Sequence, residues 1–246
     1  MNGIVGNVIF RVKVLVEENL KRAIEDFRYL LGRGYNRESA LKFVGDKYQL
    51  NKPIRLLLYR CVYGKNEAKK HREKLVSIAE MEDEVLAVDG YNSLITVESM
   101  LENKPIILCD DGFIRDLSAI HGKYKFTSTT IQALKLLAKT LLKIKIKQVK
   151  FFFDSQVSRS GELASLTRKI LVEAGLDGDA LAVKKADNEV LGWGKIVASS
   201  DAVIIQKASK VFDLAGETIK QENPKKILRL NSKKLLKIFR NFSSYN

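Results

Sequence analysis

VLAVDGYNSLI, residues 85–95, holds the pattern that sets the fold. Four apolar residues end abruptly at Asp89. A glycine and two polar residues follow, and a helical pattern begins by Leu94 and runs to Leu101. An apolar run too short for a helix, closed by an acid and followed by a helix, reads as one strand–helix unit of an α/β sheet. The texture repeats downstream. Ile106–Cys109 is strand-like and ends in Asp110 and Asp111. Thr130–Ile144 reads as a helix, Val149–Phe153 as a strand ending at Asp154, and 161–174 as a helix stopped by Gly175. Leu181–Val183 and Ala202–Ile205 read as short strands, and residues 226–230 as an edge strand before a basic amphipathic C-terminal helix. Strands alternating with helices predict a three-layer α/β/α domain with a mostly parallel sheet.

Upstream the pattern is helical. Residues 17–31 place Leu20, Ile24, Phe27 and Leu31 on one face, and Gly32 and Gly34 end the segment. Asn36 is placed to cap a second helix, and Pro53 suits the first turn of a third. Two short helices joined by a tight turn predict a small helix-turn-helix-like domain, with Arg55 and Arg60 on its outer side for phosphate. A plain three-helix bundle fits the same pattern. The polar stretch 65–75 reads as a helical or flexible connector. The expected division is a helical domain over 1–78 and an α/β domain over 79–246.

Composition narrows the chemistry. The 246 residues are 46% hydrophobic and 29% charged, enough for a packed core. No apolar run approaches the ~20 residues that span a bilayer, and the first residues lack a signal-peptide pattern. No membrane partner and a cytoplasmic location are expected. Cys61 and Cys109 are too few and too far apart for a disulfide framework or a zinc set, and His71 and His121 are the only histidines. Any catalytic metal must therefore be held by carboxylates. Neither a Walker loop nor a Rossmann glycine fingerprint is present, which leaves no case for ATP or NAD.

The net charge is +14, from 43 Lys and Arg against 29 Asp and Glu. The excess is clustered: six lysines and no acid lie between Gln132 and Lys150, including Lys139 and Lys143. Eight basic residues and one acid lie between Lys220 and Asn246. Such single-signed clusters point to a polyanion, with solvated faces as the plainer alternative.

Asp89, Asp154 and Asp187 all follow strand-like runs, and Asp201 precedes one. Ligand sites in open α/β sheets form beyond the carboxyl ends of the strands. One acid there is ordinary turn punctuation. Several converging acids repel one another, and Mg²⁺ or Mn²⁺ relieves that repulsion and activates a water toward a phosphodiester. Asp110 and Asp111 either join this edge or form a turn with Gly112. Arg159 lies in a polar loop that either holds a phosphate or starts a helix. Trp193 is either a base-stacking ring or a core residue.

The segments VDGYNSLI (88–95), FFFDS (151–155), KADNEV (185–190) and ASSDAVII (198–205) resemble the NYN branch of the PIN-like nuclease superfamily, in order and in local chemistry. The resemblance implies that Asp89, Asp154, Asp187 and Asp201 hold one or two Mg²⁺ or Mn²⁺ ions. Asn92 would orient the first acid or a water, and Ser200 would support the last. Glu98, Glu162 and Glu189 are alternatives for the superfamily's helix-borne acid, with Glu189 best placed beside Asp187. Residues 27–63 carry a second resemblance, to a mainly archaeal family catalogued as domain of unknown function four-three-four, which implies no activity. The spacing departs from the NYN pattern between Asp187 and Asp201, and no second acid follows Asp201 closely.

These readings predict a metal-dependent ribonuclease. The alternatives are a nucleic-acid-binding protein on a degenerate PIN-like scaffold, and an interaction module with no specific polyanion. RNA is the expected partner. Strand edges and the C-terminal helix allow a homodimer without requiring one.

Overall fold

A computed structural model describes residues 2–118 and 124–242, with side chains over 17–118 and 124–239. His121 lies outside the described residues. Four helices come first: α1 (Asn2–Gly32), α2 (Arg37–Lys47), α3 (Lys52–Cys61) and α4 (Lys65–Lys74). Then follow β1 (Val85–Asp89), α5 (Gly90–Leu101), β2 (Ile106–Leu108), β3 (Ile114–Asp116), α6 (Ser128–Lys143) and β4 (Gln148–Asp154). Next are α7 (Ser160–Glu173), β5 (Gly178–Val183), α8 (Ala186–Trp193), β6 (Ile196–Ala198) and α9 (Ala202–Lys207). The chain closes with β7 (Lys210–Phe212), α10 (Leu214–Glu222), β8 (Ile227–Arg229) and α11 (Lys233–Phe242).

Two compact units result. One takes the chain through Lys70, together with Ile107–Gly112 and the residues from Leu228 onward. The other takes His71–Ile106 and Phe113–Ile227. The helical unit is built from caps and stripes. Asn36 accepts the N–H groups of Glu38 and Ser39, and Asn51 accepts that of Ile54 with Pro53 in the first turn of α3. These side chains satisfy amides that a helix start leaves unpaired. Leu20, Ile24 and Phe27 of α1, Val44 of α2, and Leu57, Leu58 and Cys61 of α3 are buried. So are Leu235, Leu236 and Phe239 of α11, which packs on α1 and α3. The polar stretch at 65–75 is helix α4 over most of its length.

The second unit is a five-stranded parallel sheet in the order β5-β4-β1-β6-β7. Alternate residues serve opposite faces. Ala87, Phe152, Val197 and Val211 pack with Ala186 and Val190 of α8 and Ile204 and Ile205 of α9. On the other face α5 and α7 lie on the strands, α6 packs on α5 and α7, and α10 packs on α5 and α6. Helices on both faces make the three layers, and this accounts for the nearly unbroken apolar strands.

One predicted strand is a helix. Ala202–Ile205 was expected to be extended, yet it forms the first turns of α9. Asp201 caps that helix by accepting the N–H groups of Val203 and Ile204, and Ile204 and Ile205 turn inward together. The strand lies just upstream, at Ile196–Ala198. Asp201 therefore follows a strand, as the other three aspartates do.

Candidate active site

The chain lays β4 and β5 outward from β1, then returns to place β6 and β7 on the other side of β1. Its direction of winding reverses between β1 and β6. At such a switch point the flanking connections leave toward opposite faces and open a crevice beyond the strand ends. Asp89 ends β1, and Ser199, Ser200 and Asp201 follow β6, so both strands at this switch point lead into acids named from the sequence.

These residues are joined side chain to side chain. Asp89 caps α5: its Oδ1 accepts the Asn92 N–H at 3.3 Å, and its Oδ2 accepts the Ser199 hydroxyl at 2.9 Å. Ser199 Oγ in turn accepts the Asp201 N–H at 3.0 Å. Asn92 Oδ1 accepts both the N–H and the hydroxyl of Ser200, at 2.8 and 3.0 Å. The buried Arg115 donates from Nε to the Ser200 carbonyl at 2.6 Å. The turn after β6 is thus held from two sides. Ser199, rather than Ser200, links the first acid to the last.

Asp154 ends β4, and its Oδ1 accepts the Gln156 N–H at 2.8 Å. Asp187 sits exposed in the first turn of α8, and Asp201 is exposed at the start of α9. The charges of Asp201 and Asp187 act on Asp89, and those of Asp201 and Asp154 act on Asp187. Burial is the main force that pushes the Asp89 carboxyl up to about 7, opposed by its bonds from Ser199 and Asn92, with the charges of Asp201 and Asp187 adding to the rise. Although Asp187 is exposed, partial desolvation of its carboxyl is the chief cause that raises it, followed by Asp201; Lys207 draws it down and Asp154 adds a smaller rise. Asp154 also bears on Tyr91, whose hydroxyl burial pushes up to about 12.

All the donors here are hard carboxylate oxygens, the type that Mg²⁺ and Mn²⁺ prefer. Asp187 makes no hydrogen bond or ion pair among the described residues, and Oδ2 of Asp154 and of Asp201 accepts none there either. Yet no three His, Cys, Asp or Glu side chains among the described residues are gathered closely enough to hold a metal by themselves. The donor chemistry fits a divalent cation, whose shell would be completed by water or phosphate oxygens.

The other named residues fall elsewhere or take other partners. Glu189 is exposed on α8. Glu98 is buried and accepts from the Tyr124 and Thr130 hydroxyls at 2.5 and 2.6 Å, and Glu162 pairs with Arg159 at 2.7 Å. Asp110 belongs to the helical unit, where Arg28 grips it through two bonds of 2.7 Å. Gly112 adopts φ 88, as a turn there requires. Trp193 packs edge-on against Phe152, with Lys150 over its ring. Arg55 donates to the Leu50 carbonyl and to Asp46, and Arg60 is half-buried on α3. Lys139 and Lys143 are exposed on α6, with Lys139 paired to Glu222 at 2.7 Å. Arg159 is exposed and lies 5.4 Å from the centre of the Phe126 ring.

Sequence reasoning missed Ser199 and Arg115. Ser199 was legible in the SSD triplet, had the helix after it been recognised. Arg115 lies in a three-residue strand and left no periodic signal.

A fold of this kind, with acids at its switch point, defines an α/β protein with a candidate ligand crevice. Residues 78–217 match a family model described as Domain of unknown function (DUF5616), and residues 19–74 match one described as Protein of unknown function (DUF434). The first of these spans more than half of the chain, and the chain belongs to that family. It is 36% identical over 203 residues to the uncharacterized protein MJ0935 of Methanocaldococcus jannaschii, covering 82% of this chain and 97% of that one. No solved structure matches. No helix among the described residues is long and apolar enough to cross a membrane.

Proposed function

We propose that the protein is a metal-dependent ribonuclease of PIN-like type, with Asp89, Asp154, Asp187 and Asp201 as its cation-binding and catalytic acids. The observation that carries this reading is that acids beyond the carboxyl ends of β1, β4, β5 and β6 raise the carboxyls of Asp89 and Asp187 by their charge. The ordered resemblance of their segments to the NYN branch supports it. A bound Mg²⁺ or Mn²⁺ would supply Lewis-acid stabilisation of a phosphodiester and a more acidic water. The chain's own contributions are distinct. Ser199 and the Asn92 amide hold Asp89 in place, and a nearby cation would favour its ionised form at neutral pH. Ser200, anchored by Asn92 and Arg115, sets the position of Asp201. Glu189 lies two residues from Asp187 on α8. Lys139, Lys143 and Arg159 would neutralise backbone phosphates, with Arg55 and Arg60 available only after giving up part of their present surroundings.

The test is cleavage of a labelled mixed-sequence RNA with Mn²⁺, comparing wild type with Asp89→Asn and Asp201→Asn. Both variants should lose activity and keep the fold. Cleavage by Asp89→Asn at the wild-type rate would defeat the mechanism. A second reading, a nucleic-acid-binding protein on a degenerate scaffold, draws on a specific feature. Asp89, Asp154 and Asp201 each spend a carboxylate oxygen on local amides, and no metal-ready group is preassembled among the described residues. It predicts binding that is indifferent to Mn²⁺ and to the aspartates.

A further inference from the structure

The helical unit exposes aromatic rings that its core does not use. Tyr29 is 60% exposed, Tyr35 59% and Phe43 60%. Large rings at that exposure are unusual when they fall together, and helix spacing puts Tyr29 and Phe43 on the same stretch of the α1–α2 pair. Asp26 of α1 accepts from Lys47 at 2.7 Å and from Tyr48 at 2.9 Å, which ties α2 alongside α1. Tyr29 lies one turn beyond Asp26 on the same face of α1. Phe43 lies one turn before Lys47 on the same face of α2. The two helices run in opposite directions from the short connection at 33–36. Both rings therefore stand between the Asp26–Lys47 pair and that connection, and the connection itself carries Tyr35.

Cations outnumber acids on the rim of this patch, where Glu25 is exposed one turn before Tyr29. Arg33 lies over the Tyr29 ring, with 5.2 Å from guanidinium to ring centre. Lys42 is exposed beside Phe43, and Arg22 is exposed one turn before Asp26 on α1. Asp26 is neutralised by Lys47, and Asp46 by Arg55. A partner made of flat rings on an anionic chain matches both features. Bases stack on exposed aromatic faces, and their phosphates meet the surrounding guanidinium and ammonium groups. A duplex hides its base faces and cannot use the rings.

We propose that Tyr29, Tyr35 and Phe43, rimmed by Arg22, Arg33 and Lys42, form a stacking platform for single-stranded nucleic acid. It goes beyond the nuclease reading and does not need it, since stacking requires neither a metal nor the aspartates. The platform also differs from a groove-reading second helix. On α3 only Lys52 and Tyr59 are exposed, and Arg55 is turned onto Asp46 and the Leu50 carbonyl.

The test is fluorescence anisotropy with the full chain, a labelled 12-nucleotide oligouridine and a labelled RNA duplex, in EDTA and about 150 mM salt. Tyr29→Ala/Phe43→Ala should weaken oligouridine binding by at least about tenfold, the loss expected for two stacked bases. Tyr29→Trp/Phe43→Trp should bind within about threefold of wild type, because the ring faces remain. Duplex binding should change little. A double alanine variant that binds oligouridine within threefold of wild type overturns the proposal. So does an equal loss for duplex, or a wild type that binds no single strand at this salt. Light scattering covers the remaining occupant: if the alanine variant instead dissociates a dimer of this chain, the patch is a protein interface and the proposal fails. The nuclease reading fails separately, through unimpaired cleavage by Asp89→Asn.

Discussion

Replacing Asp89 by Asn should make the metal-free protein more stable at alkaline pH and leave it nearly unchanged near pH 4. The carboxyl is held at about 7 in the folded chain, against an ordinary value of 3.8. Between these values the native state keeps a proton that the unfolded chain has released. Stability from this group is therefore complete below about pH 4 and is lost as pH rises through 7. A difference of about three pKa units corresponds to at most about 4 kcal/mol, at 1.36 kcal/mol per unit. The Asp89 residue keeps some contact with solvent, and screening there brings the expected loss to about 2 kcal/mol. Asparagine carries no charge and caps a helix as well as aspartate does, so it keeps the Asn92 amide bond and removes the cost. Urea unfolding in EDTA at pH 4.5 and pH 8 measures the difference. Asp89→Asn should gain about 2 kcal/mol over wild type at pH 8 and much less at pH 4.5. An equal effect at both pH values would refute the claim that burial and neighbouring acids strain this carboxylate.

Ser199→Ala removes the hydroxyl that bridges Asp89 and the Asp201 amide; it should cost about 1–2 kcal/mol by thermal unfolding and lower RNA cleavage if the two acids act together. Gly90→Ala would drive a Cβ into the Phe153 ring, so it should destabilise by about 1–3 kcal/mol by urea unfolding although α5 favours alanine. Lys139→Ala/Lys143→Ala breaks only an exposed pair with Glu222. It should change stability by under about 0.5 kcal/mol, while reducing the salt dependence of RNA binding by up to about two phosphate contacts, read from anisotropy at several salt concentrations.

The parts of the fold legible in the sequence were those with a one-step signal. Val85–Val88 and Val149–Phe153 are largely apolar runs closed by an acid, and α1, α2 and α3 carry buried stripes, with Asn36 as the cap of α2. The short strands were not legible. Ile196–Ala198 offers three residues, whereas Ala202–Ile205 offers four with more β-branched character. Local propensity favoured the wrong segment because the deciding interaction was the Asp201 cap. Gly90 stood in the sequence only as the residue after the first acid, while its structural reason is the close approach of Phe153. Other residues needed distant partners to be read. Asp110 is separated from Arg28 by 82 positions, and Arg115 from Ser200 by 85. Arg55 looked like a surface cation by spacing alone, but its guanidinium packs on Gly45 and closes the α2–α3 turn.

The central claim is that four aspartates at the ends of neighbouring strands act as one cation site. Calorimetric titration of Mn²⁺ into wild type and into Asp89→Asn/Asp201→Asn tests it most directly. Saturable binding by wild type that disappears in the variant is the predicted result. Equal binding by both proteins, or none by either, would contradict it.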